Sequence, residues 1–500
     1  MKIPVLSFEA LLEKTLAGTF PDRKKFFRTQ QIFFLMRDPF WVWCEYHAPP
    51  EEAVKDEAGY NTFLRDWAHD HRQEWIMKTY PRVIQLPPHF GLANYKATLK
   101  AMFQGVEAIQ NPQLWALHKK MYGQGDLIVR DDSHPSHFGP FHYRVVEVKR
   151  AKWMKNTYKI QAAALNRILG AIQGYTPPQM GVVLMGEVLE VSYAKVEPEL
   201  DELVRKWRAI RSGRLKPRPF LLDYSRSPWR EYANKILMKN EDLTLLPEVD
   251  PNLREKIIEE LGIDSLKALK KVTLKKLKKA LGDKLGFALF HSSLAYFAKK
   301  PILPEGTHFH IPRADRHLYF DFELSDEMRM NVPAHVYLIG IWDQEGGKYV
   351  SFHGKGLECE RKLFSDFLDY IGDPLQCRLY HWSDFEIRHM RKITEKYPEL
   401  APRLAPMIPH CVDLLKFIRS RIYLPVISYS IKNVAPFLGF HWRQKDVGGF
   451  ESMALYLDYL ENGNEEAMRK ILTYNEDDCK AMWFVDDALT TLFPRELPQP

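Results

Sequence analysis

Apolar residues along the chain recur with two periods, and the switches between them mark out the architecture. Residues 1–120 carry helical periodicity and many aromatics, as in FFRTQQIFFLMRDPFWVWCEYH, with turns at Pro49-Pro50 and Pro87-Pro88. GDLIV at 125–129 and YRVVEVK at 143–149 read as short strands around a polar loop. YKIQAAALNRILGAI at 158–172 reads as a helix, since Gln161, Leu165 and Leu169 fall about one turn apart. MGVVLMGEVLEVSYAKV at 180–196 returns to strand composition. This is the wiring of a small α/β domain, ending at the Pro- and Arg-rich RSGRLKPRPF at 211–220. Helical patterning fills the next stretch up to KKPILPEGTH at 299–308. Beyond it, LYFDFEL, HVYLIGIW, KYVSF and CRLYHW read as strands, followed by helices to the end.

A chain of 500 residues exceeds one hydrophobic core, so two or three domains are expected. The net charge of +7 permits a polyanionic partner, and most of that excess is local: residues 261–284 hold eight lysines against two aspartates. There Leu266, Leu269, Leu274, Leu277 and Leu281 recur at helical spacing, which leaves the lysines the other face. No apolar run approaches a membrane span, and Glu9 and Glu13 stand where a signal peptide would be apolar. Five scattered cysteines with no CxxC pair exclude a disulfide framework or a clustered cysteine zinc site. A soluble cytoplasmic chain with no membrane partner is expected.

Two groups of residues carry chemistry. Glu147 and Lys149, two apart on a strand, point to one face. With Asp126 they can hold a divalent cation, with a lysine to neutralise developing phosphoryl charge. An isolated ExK is usually an exposed ion pair, and His134, His137 and His142 are read as loop histidines. Here the apolar strand around ExK and Gln161 on the next helix change the picture. GQGDLIV, VVEVKRA and YKIQAAAL, in that order, resemble the RecB-like branch of the PD-(D/E)XK nucleases. The resemblance implies metal ligation by Asp126 and Glu147, catalysis by Lys149, and support from Tyr158 and Gln161. It also implies an acid from an early helix, for which Glu74 in HRQEW is the candidate metal ligand. Iron–sulfur relatives need four cysteines; Cys44 has no cluster following the core, so no iron–sulfur cluster is expected.

The second group is more specific. LYFDFEL sets Asp321 and Glu323 on one strand face, where they repel unless a cation or proton lies between them. YHWSDFEIRHM offers a third acid, and TYNEDDCKA sets Tyr474 one helical turn before Asp478. These blocks, with CVDLLKF and SYSIKNVAPFLGF between them, resemble the three exonuclease motifs of the DEDD class in its tyrosine form. They are similar to RNase H-like domains of DnaQ-type exonucleases, above all a prokaryotic branch joined to RecB-like domains. The resemblance implies metal ligation by Asp321, Glu323, Glu386 and Asp478, with Tyr474 orienting the attacking water. The middle motif departs from the family's usual aspartate: Glu386 takes the acid position, with Asp384 the alternative.

The expected fold is α/β: a PD-(D/E)XK restriction-endonuclease-like domain at 1–220, a basic helical connector at 221–304, and an RNase H-like domain at 305–500. The connector is weakly similar to helix-hairpin-helix modules, and Lys270, Lys271, Lys275, Lys276, Lys278 and Lys279 are its candidate phosphate contacts. The expected function is a Mg2+- or Mn2+-dependent nuclease, acting on DNA ahead of RNA, with 3′–5′ exonuclease activity from the C-terminal domain and a helicase or repair protein as partner. The rival is a nucleic-acid-binding protein with one or both sites inactive.

Overall fold

The computed structural model describes residues 3–22, 24–54, 72–220, 227–247, 249–325, 333–444 and 447–494. The chain divides into two compact units, Met1–Pro219 with Ser225–Ala233, and Phe220–Tyr224 with Asn234–Pro500. The lysine-rich helices thus cluster with the C-terminal unit. Among the described residues no helix is long and apolar enough to cross a membrane.

The N-terminal unit holds two sheets. A three-stranded one pairs β1 (Phe27–Arg28), β5 (Met121–Gln124) and β4 (Gln113–Ala116). The larger one has the order β2-β3-β6-β7-β8-β9, where β2 is Ile84–Gln85, β3 Ala108–Gln110, β6 Leu127–Asp131, β7 His142–Lys149, β8 Gln179–Leu184 and β9 Glu187–Ser192. β3 and β4 fall in the stretch that the sequence reads as helical; each is at most four residues long, too short for a period to show. The strand composition over 180–196 resolves into a hairpin and a helix start. Met185 and Gly186 both take positive φ and turn the chain, as two-residue hairpin loops require. Helix Tyr193–Arg211 then buries Tyr193, Val196, Leu200, Leu203 and Val204 at helical spacing.

β7 has two working faces. Val146 and Val148 pack with Leu127, Val129 and Val183, while Tyr143 and Val145 face the core that helix Asn156–Gln173 covers. Alternation sends Glu147 and Lys149 to that second side.

In the C-terminal unit a five-stranded sheet has the order β12-β11-β10-β13-β14: β12 is Lys348–His353, β11 Val336–Asp343, β10 Arg316–Leu324, β13 Cys377–His381 and β14 Cys411–Asp413. The central β10 runs antiparallel to β11 and parallel to β13. β14, three residues long, lies in a stretch that the sequence reads as helical; it forms a parallel edge on β13. Leu318, Phe320 and Phe322 pack on one side with Phe364 and Phe367 of helix Glu360–Ile371 and Met390 of helix Phe385–Lys396. Each such buried side chain contributes about 1.5–3 kcal/mol. Tyr319 faces the other side, against Met482, Val485 and Leu489 of helix Glu465–Leu492. Asp321 and Glu323 share that side with Tyr319.

The lysine-rich stretch forms helices Pro251–Leu261, Leu266–Leu269, Leu274–Leu281 and Asp283–Ala298. Leu266, Leu269, Leu277 and Leu281 are buried in one small core. Two of these helices meet closely: a Cβ on Gly286 would stand 2.6 Å from the Leu277 carbonyl carbon, so only glycine fits.

Candidate active sites

In the N-terminal unit, antiparallel pairing of Leu127 with Val146 brings the start of β6 to the end of β7. Asp126 N–H donates to Glu147 Oε1 at 3.0 Å, and Val148 N–H donates to Asp126 Oδ2 at 3.0 Å. Lys149 Nζ donates to Glu147 Oε2 at 2.6 Å and to Asp126 Oδ2 at 3.2 Å. The three residues expected to act together therefore touch. Burial opposes ionisation of Asp126, but Lys149 and Arg72 overcome it and hold the carboxyl below the usual range. Burial and the Asp126 charge push Glu147 up, against the pull of Lys149. For Lys149, burial is outweighed by the two carboxylates, which keep it protonated.

Arg72 was not foreseen from the sequence. Its guanidinium sits 2.8 Å from Asp126 Oδ1, reaching the site from a helical stretch over 72–79. Glu74, two residues further on, is exposed. Tyr158 lies at the start of helix Asn156–Gln173, with Lys149 Nζ 6.0 Å from its ring centre; Gln161 is half-buried one turn later. The loop histidines make separate local contacts: His134 stacks on Tyr175, and His137 Nδ1 lies 2.7 Å from the Pro4 carbonyl.

In the C-terminal unit, Asp321, Glu323 and Asp478 each present a carboxylate oxygen, all within 4.8 Å of one another. Glu386, in the first turn of helix Phe385–Lys396, is buried and shares a hydrogen bond with Asp321. Asp384 is 72% exposed on its side chain and pairs with Arg388 at 3.2 Å. The acid beside Asp321 is thus Glu386. Burial, then Glu386 and Asp478, push Asp321 well above the carboxylate range. Glu323 is raised by burial, then by Asp321 and Asp478. Glu386 is pushed up to about 8, mainly by burial. Burial, Asp478 and the other acids raise Tyr474, whose hydroxyl hydrogen-bonds Asp478.

Four further residues hold these acids, and sequence reasoning missed them. Asn475 Nδ2 donates to Asp321 Oδ2 at 2.9 Å, and Ser452 Oγ to Glu323 Oε2 at 2.9 Å. Trp442 Nε1 donates to Asp478 Oδ1 at 2.7 Å, and Lys432 Nζ donates to the same oxygen. That ammonium also sits 4.1 Å from the Trp442 ring centre and 4.3 Å from that of Tyr474. A lysine inside the SYSIKNVAPFLGF motif was the available signal for Lys432; Ser452 and Trp442 had none.

The donor set suits a hard divalent cation. Three carboxylate oxygens converge, oxygen is the donor that Mg2+ and Mn2+ take, and Glu386 Oε2 is buried without a hydrogen-bond partner. The connector lysines lie elsewhere in the unit. Lys270, Lys271, Lys275, Lys276 and Lys279 are exposed, and Lys278 is half-buried with its ammonium 3.8 Å from Asp283.

Residues 318–490 match the RNase_H_2 family model of the RNase H superfamily, a span that includes all four acids and Tyr474. They make an RNase H-like domain, a nuclease-type fold. No curated protein matches the chain.

Proposed function

We propose that the protein is a divalent-metal-dependent nuclease that hydrolyses phosphodiester bonds of nucleic acid, DNA ahead of RNA, with 3′–5′ exonuclease activity in its C-terminal domain. The observation that carries this reading is the convergence of Asp321, Glu323 and Asp478, with Glu386 hydrogen-bonded to Asp321 and Tyr474 to Asp478. These four acids would hold Mg2+ or Mn2+. Bound there, the ion would supply an activated water and neutralise charge developing on the phosphoryl group. The Tyr474 hydroxyl, kept neutral by burial and fixed by Asp478, would orient the attacking water. Lys432 and Trp442 fix the Asp478 carboxylate.

The N-terminal unit would be a PD-(D/E)XK domain. Its Lys149, held protonated by Asp126 and Glu147, would act as a cation toward the phosphoryl oxygens rather than as a base. A second reading has a specific observation behind it. Arg72 and Lys149 already neutralise the Asp126–Glu147 pair, so this unit would grip nucleic acid without cutting it. The exposed connector lysines would add sequence-independent phosphate contacts.

The test is digestion of end-labelled single- and double-stranded DNA and RNA with Mg2+, Mn2+ or EDTA. It compares wild type, Asp321→Asn, Lys149→Ala and the double variant. Two active sites require each single variant to keep part of the cleavage and the double variant to lose it. Cleavage that survives in the double variant rules out both sites.

A further inference from the structure

We infer that the loop between β7 and helix Asn156–Gln173 is a stacking platform for an unpaired nucleobase, with Trp153 as its surface. The N-terminal site then takes single-stranded nucleic acid or the frayed end of a duplex. The inference rests on reading Asp126, Glu147 and Lys149 as a nuclease site, and adds the form of substrate that the site accepts.

Trp153 is 79% exposed, more than any other large apolar side chain among the described residues. An indole carries a large apolar surface, and leaving it in water forgoes the stabilisation that burial gives. It stands four residues after Lys149, which closes the Asp126–Glu147 cluster. It lies in a basic stretch: residues 149–159, KRAKWMKNTYK, hold five basic residues and no acid. Lys152 and Lys155 are exposed beside it, and the Tyr158 ring lies under Lys155 at 5.7 Å. Beyond the loop opens a cavity of about 980 Å³, lined by Met154, Lys159, Arg144, Lys195 and Tyr175 among others. That is near the upper end of ligand-sized pockets.

An aromatic face set among cations is the combination that binds single strands without sequence preference. The ring stacks on a base while the ammonium groups follow the phosphates. A duplex keeps its base faces inside the stack, so Trp153 finds a partner only where a base is unpaired. The core of a protein–protein interface is instead depleted of charged side chains, lysine among them. Lys152 and Lys155, which flank Trp153 in the chain, are charged and exposed.

The test uses the full chain in EDTA, where no metal supports cleavage. Fluorescein-labelled dT15 and a blunt 15-base-pair duplex are titrated by anisotropy, and a 5-iodouracil-substituted dT15 is photocrosslinked and its adduct mapped by mass spectrometry. Trp153→Ala should weaken dT15 binding roughly 5- to 150-fold, the range of one base–aromatic stack. Duplex affinity should stay within about twofold, Trp153→Phe should keep most of the dT15 affinity, and the adduct should fall on Trp153. Unchanged dT15 affinity, an equal loss for both substrates, or an adduct confined to other peptides overturns the inference. The nuclease reading is judged separately, in an Asp321→Asn background with Mg2+. If that cleavage does not depend on Lys149, the nuclease reading of this site fails, whereas an adduct on Trp153 still upholds the platform. Lys149-dependent cleavage without the adduct removes the platform alone.

Discussion

Asn475 reaches Asp321 because Gly340 has no side chain. Gly340 lies opposite Asp321 in the β10–β11 pairing, and a Cβ there would overlap the Asn475 amide oxygen. The same oxygen accepts from Tyr349 Oη at 2.8 Å, so the amide is held at both ends while its nitrogen donates to Asp321. Gly340→Ala should therefore displace Asn475 and leave Asp321 free to turn. The expected outcome is a drop of at least tenfold in metal-dependent exonuclease rate, with a loss of stability of about 1–3 kcal/mol from overpacking. Asn475→Ala should reproduce the rate loss without the overpacking. If Gly340→Ala cleaves like wild type, Asn475 does not position Asp321.

Glu386 and Asp384 separate cleanly by environment. Asp384 is exposed and paired with Arg388, so Asp384→Asn should leave rate and metal affinity unchanged. Glu386→Gln should abolish most of both. Glu386→Asp shortens the arm by one methylene and should retain activity while changing the balance between Mg2+ and Mn2+. Rate measurements in each metal decide it. A dead Asp384→Asn beside an active Glu386→Gln would reverse the assignment.

The legible parts of the molecule were those where period and chemistry coincide. β10 shows both in seven letters: LxFxF faces one core and YxDxE the other, so the letters alone place the acid pair on a strand face. The same holds for ExK on β7. Legibility failed where partners are far apart in the chain. Arg72 meets Asp126 across 54 positions, and Ser452 meets Glu323 across 129. Nothing local in either residue's neighbourhood encodes such a meeting. It also failed for β3, β4 and β14, whose strand character comes from pairing rather than composition.

Lys432 offers a test of the acid cluster without metal. Its ammonium is the cation paired with Asp478, so Lys432→Met should lower metal-free stability by about 1–3 kcal/mol, as removing one partner of a partly buried pair does. Saturating Mg2+ should recover most of that loss, because the ion then supplies the positive charge. Thermal melts with EDTA and with Mg2+ read the difference. Equal losses in both conditions would mean that Lys432 matters for packing alone.

The connector lysines give a salt-dependence test. Replacing Lys270, Lys271, Lys275, Lys276, Lys278 and Lys279 by glutamine should weaken DNA binding equally across sequences. Every lysine among them that neutralises a phosphate should, once replaced, reduce the slope of log affinity against log salt by about 0.7–0.9. An unchanged slope would mean that these lysines only keep the helix faces solvated.

The pH dependence of the metal-free protein follows from the raised carboxyls. Glu386 moves from 4.5 up to about 8 on folding, and Asp321 and Glu323 rise as well, with burial first among the causes. Between their unfolded and folded values the native state holds more protons than the unfolded chain. Stability then falls as pH rises through that window: the contribution is fully present below about 4.5 and lost by about 8 for Glu386. Each tenfold in proton affinity is worth about 1.4 kcal/mol, so Glu386 alone is on the order of a few kcal/mol. The melting temperature in EDTA should therefore decline from pH 5 to 8.5, and Glu386→Gln should flatten that decline, ending more stable than wild type at pH 8.5. Mg2+ competes with the same protons, so its stabilising effect should grow over the interval in which the metal-free protein weakens. A melting temperature in EDTA that climbs with pH, or a Mg2+ effect that is the same at pH 5 and 8.5, would mean that these carboxyls are ionised without metal and that the cluster is not proton-linked.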